Sequence, residues 1–334
     1  MTDLLYGGGI PELARKLAAP ARRAAHDRVA GLFADKQQRG FFEGGAAGGR
    51  WIESSYDTLC DADLLSVLHL RLGFPPVRVL SPTCLLCGKG DTSTPASVSV
   101  HALSCSDLQG VLTSRHHRVK RAMQTHLLAA LRKAGGKGLY VATEVHLNAL
   151  GFKARDHAAA AVAANQVSKT GIPVVADVAV QYDVGSTSRT VAIDLVVSGP
   201  STTFGPAMGA GEAAKLASAD KVRRYVSNWH MTEGRDIRPY AMEPSGLAHL
   251  DDYRGLKTLV FKAAPATRAN AASVHRDISK SFARLLTHIA VALQRGNALV
   301  LQIFSRRWQL VLDSRAAAAG GGGRGAGAGA GAGR

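Results

Sequence analysis

The sequence predicts an α/β protein of the mixed, α+β kind: a sheet flanked by helices, with a small metal-holding module beside it. Three observations predict it. Two neighbouring segments, Val174 to Tyr182 and Arg189 to Val197, alternate side-chain character with the period of two that strands require. Apolar residues elsewhere recur at helical spacing, in Val119, Met123, Leu127 and Leu131 and again in Val274, Ile278, Phe282, Leu285 and Ile289. Three of the four cysteines fall together with a histidine at metal-ligand spacing.

The chain has 334 residues, 46% of them apolar, and a net charge of +16. That length supports one or two domains with a real core, and that charge points to an anionic partner, most often nucleic acid. No charged segment followed by an apolar one opens the chain, and no apolar run approaches the roughly 20 residues that span a bilayer. Leu285 to Leu293, the best run, is broken by His288. These features argue against a secreted disulfide scaffold and a membrane protein. The expectation is a soluble, intracellular protein whose cysteines are reduced.

In chain order, residues 10 to 36 read as a basic helix interrupted at Pro20, and residues 39 to 50 as a Gly-rich loop. Asp61 caps a short helix whose apolar face is Leu64, Leu65, Leu68 and Leu72, stopped by Gly73 and Pro75-Pro76. Residues 1–80 are thus a helical lead-in, with Cys60 as a packed thiol. Residues 81–110 hold Cys84-Leu85-Leu86-Cys87, thirteen residues, His101, three residues and Cys105. Cys84, Cys87, His101 and Cys105 make a closed tetrahedral set suited to structural zinc, and Gly88 permits the turn around the metal. The alternative is reduced thiols in a loop. Residues 115 to 134 form a helix that opens densely basic, and Arg115, His116, Arg118, Lys120 and Arg121 are candidate phosphate contacts, unless the run is a solvated face. Leu139 to Leu147 is a strand carrying Glu144, a candidate third carboxylate. Residues 151 to 170 resemble an insertion poor in core residues. A strand at Ile237 to Met242, helices at 252–262 and 270–294, and a late strand at Leu299 to Phe304 complete the main domain, 115–310. The Gly/Ala tail over 311–334, poly-Ala and poly-Gly from Ala316, cannot pack a core and is expected to be disordered.

The central hairpin carries the chemistry. Folding it about the turn-rich Asp183-Val184-Gly185-Ser186-Thr187-Ser188 sets Asp177 opposite Asp194. Val178, Val180, Tyr182, Val191, Ile193 and Leu195 then share a core face. The other face carries Asp177, Ala179, Gln181, Thr190, Ala192 and Asp194. Directly opposed like charges destabilise a strand pair by roughly 0.2–1 kcal/mol, a sign that a counter-cation reverses. Oxygen-only ligands at such a spot favour Mg²⁺ or Mn²⁺. The helix that follows, from Gly211 to Tyr225, offers Lys215 and Lys221. Carboxylates holding a metal beside a lysine suit phosphodiester hydrolysis. The alternative is a buried hairpin whose aspartates are simply paired by Lys and Arg.

In order and spacing, several motifs together resemble one family. Leu70-Arg71-Leu72-Gly73 precedes the Cys/His cluster, and Arg115-His116 opens the next helix. A Glu-bearing strand, Pro173 with Asp177, Ile193-Asp194 with Val196, and Lys221 with Tyr225 follow. The stretch, roughly residues 60 to 262, is similar to the C-terminal zinc-knuckle and restriction-like endonuclease region of non-LTR retrotransposon reverse transcriptase proteins. The resemblance implies a restriction-endonuclease-like PD-(D/E)xK fold that nicks DNA with a divalent metal. It implies Asp177 and Asp194 as the carboxylates holding Mg²⁺ or Mn²⁺, Lys221 as the catalytic lysine, and Glu144 as a supporting acid. Lys221 would stand on the helix because Val196 fills the usual lysine position on the strand; Lys215 competes for the role. Pro173 stands four residues before Asp177 rather than next to it. DNA, or RNA, is the expected partner and the nucleus the expected compartment. No Tyr/Phe-Ala-Asp-Asp motif of a reverse transcriptase occurs; Leu250-Asp251-Asp252-Tyr253 reads as two acids at a helix start. The leading expectation is a metal-dependent DNA endonuclease, and the alternative a zinc-containing nucleic-acid-binding remnant without catalysis.

Overall fold

The computed structural model describes residues 59–71, 74–163, 174–198, 211–263 and 271–321. The expected helix at 10–36, the loop at 39–50, Leu72, Gly73 and Pro173 lie outside them. In chain order, α1 (Asp61–Arg71) leads to a small hairpin of β1 (Ser81–Thr83) and β2 (Asp91–Thr92), then α2 (Pro95–Ala102) and the long α3 (Gln109–Lys133). β3 (Lys137–His146), β4 (Lys153–Ala154) and α4 (Asp156–Ala163) follow, then β5 (Val175–Val184) and β6 (Thr187–Val197). After these come α5 (Glu212–Asn228), β7 (Trp229–His230), β8 (Arg235–Met242), α6 (Leu250–Lys262) and α7 (Ala271–Gly321). Among the described residues no helix is long and apolar enough to cross a membrane.

The main sheet is mixed and four-stranded, in the order β3-β5-β6-β8. β3 and β6 each run antiparallel to β5 between them, and α5 carries the chain across one face so that β8 joins β6 parallel. Pro239 has no N–H to donate, and it sits in β8, a sheet edge. The central hairpin has the predicted register: Val178 pairs with Ile193, Val180 with Val191 and Tyr182 with Arg189. Its turn is tighter than the hexapeptide expected, because the strands run on to Val184 and Thr187 and leave only Gly185-Ser186 between them. Gly185 has φ 62°, the positive value a type II′ turn needs at its first central position.

Both faces of the sheet are covered. Val178, Val180, Tyr182, Val191, Ile193 and Leu195 pack with Val119, Met123, Leu127 and Leu131 of α3, with α6, and with Ile278 to Leu293 of α7. Each such fully buried apolar side chain contributes roughly 1.5–3 kcal/mol. The opposite face is smaller: Ala179 and Ala192 lie under Tyr225, Trp229, Leu147 and Phe152. Phe152 and Ala158 are fully buried. The first part of the segment read as an insertion is therefore core, because its one aromatic residue closes this second face.

Two other elements differ from expectation. Leu299 to Phe304 is not a strand but part of α7, which spans 51 residues, about 76 Å at 1.5 Å per residue. Val300, Leu301, Phe304 and Trp308 are buried at helical intervals against α1 and the Cys/His module, and that packing overrides the β propensity of Leu-Val-Leu-Gln-Ile-Phe. The same helix runs through Ala316 to Gly321, so the start of the tail expected to be disordered is helical; the remaining residues lie outside those described. In α1 the buried side chains are Val67 and Leu70, while Leu65 is exposed. Cys60, expected to be packed, is exposed. The expected boundaries near 110 and 310 fall inside α3 and α7.

Candidate active site and metal centre

Past the pair Val178–Ile193 the central hairpin opens, and the two aspartates stand at that opening. Asp177 turns its carboxylate across the gap, where Oδ2 accepts the Leu195 backbone N–H at 2.8 Å. Oδ1 is 3.0 Å from His116 Nε2 and 3.7 Å from Lys120 Nζ. Asp194 Oδ2 accepts the Tyr225 hydroxyl at 2.6 Å and lies 2.7 Å from Lys221 Nζ. The pattern has a simple helical origin. His116 and Lys120 are one turn apart on α3, and Lys221 and Tyr225 one turn apart on α5, so each helix aims an i, i+4 pair at one aspartate.

Glu144, in β3, occupies the register position across from Asp177, between the pairs Thr143–Val178 and Val145–Ala176. It is the one non-glycine residue with positive φ, 56°, among the described residues. That left-handed conformation inside a strand is strained by about 1–3 kcal/mol. The Glu144 carboxylate is ion-paired with Lys120 and remains half exposed, so it reaches toward the rim of the site.

The two aspartates are electrostatically unlike. Burial pushes the Asp177 carboxyl up, but the His116 bond and charge and the Leu195 N–H hold it below the usual carboxylate value. Burial dominates at Asp194 and keeps it above the usual value despite Lys221 and Tyr225. Burial, and then the Asp194 charge, push the Tyr225 phenol well above its ordinary value, so it donates and does not ionise.

The predicted basic surface divides. Arg118 and Arg121 are exposed on α3. Arg115 is not: only 5% exposed, it donates to Leu103 O at 3.2 Å and Asn297 Oδ1 at 3.2 Å. Burial lowers its guanidinium to about 10. His116 and Lys120 face the aspartates, as described. Arg115 therefore ties helices together, and His116 and Lys120 belong to the site rather than to an outward phosphate surface. Lys215 is exposed, whereas Lys221 is in direct contact with Asp194.

Sequence reasoning did not assign Tyr225, although its spacing from Lys221 was visible. It also missed Glu243. That buried carboxyl accepts the backbone N–H groups of Gly211, Ala213 and Ala214 at the start of α5, the helix that carries Lys221. No signal in the sequence links Glu243 to a helix so far upstream.

The second constellation is the Cys3His set. The ligand atoms of Cys84, Cys87, His101 and Cys105 lie within 4.8 Å of one another and can hold a metal such as zinc. Cys84 Sγ and Cys105 Sγ are 3.9 Å apart, and Cys87 Sγ and His101 Nε2 3.4 Å. Two thiolates on one tetrahedral zinc at about 2.3 Å would stand about 3.8 Å apart, and a thiolate and an imidazole about 3.6 Å. The geometry fits. The frame is a β1–β2 hairpin and α2 rather than a bare knuckle: Thr94 caps α2 in a capping box with Ser97, and the last turn of α2 presents His101. Gly90, with φ 78°, lets the hairpin close on His101, whose Nδ1 would lie 2.4 Å from any Cβ there. Among the described residues this is the one grouping of three or more metal-type side chains; Asp177, Asp194 and Glu144 do not converge on a single point.

No family model matches the chain, and no curated protein matches it either.

Proposed function

We propose that the protein is a divalent-metal-dependent DNA endonuclease with a restriction-like catalytic domain, and that its Cys3His set holds zinc in a structural role. The observation that carries this reading is the meeting of Asp177, Asp194 and Lys221 at the open end of one hairpin. A mixed sheet with helices on both faces is what the resemblance to retrotransposon endonuclease regions implies, and the net charge of +16 suits a polyanionic substrate.

Asp177 and Asp194 would hold Mg²⁺ or Mn²⁺, which supplies water activation and neutralises charge on the phosphate. Lys221, placed 2.7 Å from Asp194, would bring its ammonium to the non-bridging oxygens as negative charge grows in the transition state. Tyr225 holds the Asp194 carboxylate in orientation, and His116 does the same for Asp177. Lys120 keeps Glu144 at the rim of the site as a supporting acid. Arg118 and Arg121 on the exposed side of α3 would contact backbone phosphates and carry part of the salt dependence. A nuclear location follows from the substrate.

A second reading, a nucleic-acid binder without catalysis, is favoured by one observation. Each aspartate already has a lysine beside it, Lys120 for Asp177 and Lys221 for Asp194, the arrangement that simple pairing of a buried hairpin would also give. Nicking of supercoiled plasmid in Mg²⁺ or Mn²⁺ separates the two. The wild type should nick. Asp194→Ala and Lys221→Met should each lose about 10²-fold or more, the usual effect of removing a transition-state stabiliser, while Lys215→Met keeps its rate. Absence of nicking with salt-sensitive binding intact would establish the binder.

A further inference from the structure

A second charged feature lies at the other end of the central hairpin, on the face opposite the aspartates. A cleft of about 510 Å³ opens between the end of the hairpin, the start of β8 and the end of α6. Tyr182 is buried at its wall, and the side chains of Arg189, Arg238 and Lys262 line it with Asp236, three cations against one carboxylate. One of the cations is committed within the fold: Arg238 pairs with Asp236 and donates to Gly255 O at 3.1 Å, while the neighbouring Arg235 turns its side chain to the other face, where Nε donates to Leu150 O at 3.2 Å. Arg189 and Lys262 have no side-chain partner among the described residues, although both border a concave surface of ligand size.

Like charges are not gathered around a cavity without a stabilising anion, and two guanidinium forks with one ammonium match phosphate oxygens in geometry and sign. We propose that this cleft is a binding site for phosphate esters, separate from the Asp177–Asp194 site. Arg189 and Lys262 supply the free charges, and Arg238, held by its own bonds, forms the fixed wall. Arg189 is five residues from Asp194 along β6, about 16 Å at strand rise, and odd and even residues face opposite ways. A ligand here therefore does not occupy the reacting position. In a nucleic-acid-binding protein, a reading this inference uses only to choose its first probe, the cleft would hold a backbone segment away from the one cut. A free nucleotide would satisfy the same chemistry.

The test uses the full chain and the double variant Arg189→Ser/Lys262→Ser. Among the described residues neither side chain has a hydrogen-bond or ion-pair partner, so the melting temperature should stay at the wild-type value. In the first arm, fluorescence anisotropy follows binding of a labelled DNA duplex from low to moderate salt. Loss of two phosphate contacts should lower the slope of log K against log salt by about 2 and weaken binding throughout. In the second arm, calorimetry follows ADP. A lowered slope assigns the cleft to the polymer backbone. An unchanged slope with saturable ADP binding that the variant loses assigns it to a free phosphate ester. An unchanged slope with no ADP binding, or ADP binding that the variant retains, overturns the proposal. Plasmid nicking tests the Asp177–Asp194 site independently, because neither substituted residue touches it.

Discussion

Glu243 is 7% exposed, and burial raises its carboxyl to about 7 from an ordinary 4.5, even with three backbone N–H groups and Ser245 as partners. Its proton is held more tightly in the folded chain than in the unfolded one. The stability this gives is complete below about pH 4.5 and is lost as pH rises through about 7. At about 1.36 kcal/mol per unit, the loss amounts to roughly 3 kcal/mol at most. Glu243→Gln should therefore flatten the fall in stability between about pH 5 and pH 8, read from urea midpoints; parallel wild-type and variant curves would contradict this. The same scale shows what the sequence could and could not reveal. That Asp177 and Asp194 come to the same end of the hairpin was legible because strand alternation fixes side and register together, although the ladder itself stops one pair short of them, at Val178–Ile193. The roles of His116 and Lys120 were not. A basic run at a helix start gives the residues and their spacing, but only the packing of α3 against the sheet decides which of them turn inward.

Among the elements, α3 and α7 cross most closely at Gly296 and Arg115. A Cβ at Gly296 would lie 2.5 Å from Arg115 Cγ and 3.1 Å from its backbone Cα. The glycine is there for contact rather than flexibility, since it sits inside a helix with an ordinary φ. Gly296→Ala gains about 1 kcal/mol of helix propensity but forces apart a crossing that holds a buried network. That network runs from Leu103 O through Arg115 and Asn297 to Pro244 O. The net effect should be a destabilisation of about 1–3 kcal/mol. Gly110→Ala, in the first turn of α3 with nothing within 4 Å of the new Cβ, should be neutral or stabilising. Equal midpoints for the two variants in urea would refute the close-crossing account. The helical stripes of both elements were plain in sequence: Val119, Met123, Leu127 and Leu131 are all fully buried. The extension of α7 through Leu299–Phe304 was not, because a short run of large apolar residues suits either period until its burial partners are known.

For the whole molecule, the Cys3His module is built into the core rather than attached to it. Cys84, Cys105, Val98 and Leu103 form one cluster with Val300, Leu301, Phe304 and Trp308, and Trp308 Nε1 donates to Val79 O at 3.1 Å. Stripping the metal with a chelator, or Cys105→Ser, should lower the melting temperature of the entire structure in a single transition. Two separate transitions in calorimetry would show the module to be an independent unit. A cysteine pattern makes a metal site legible, but not its attachment, which depends on contacts two hundred residues away in sequence. The reach of α7 has one more consequence. Its residues complete the cluster under the main sheet, the cluster around the Cys3His module and the cluster under α1. Synthesis runs from lower to higher residue numbers, and each of these clusters lacks a wall until its own part of α7 has emerged, up to Leu293, Ala298 and Trp308 in turn. The growing chain therefore carries its sheet and its cysteines unfinished until that helix has formed. They become one body only when a single helix reaches all three.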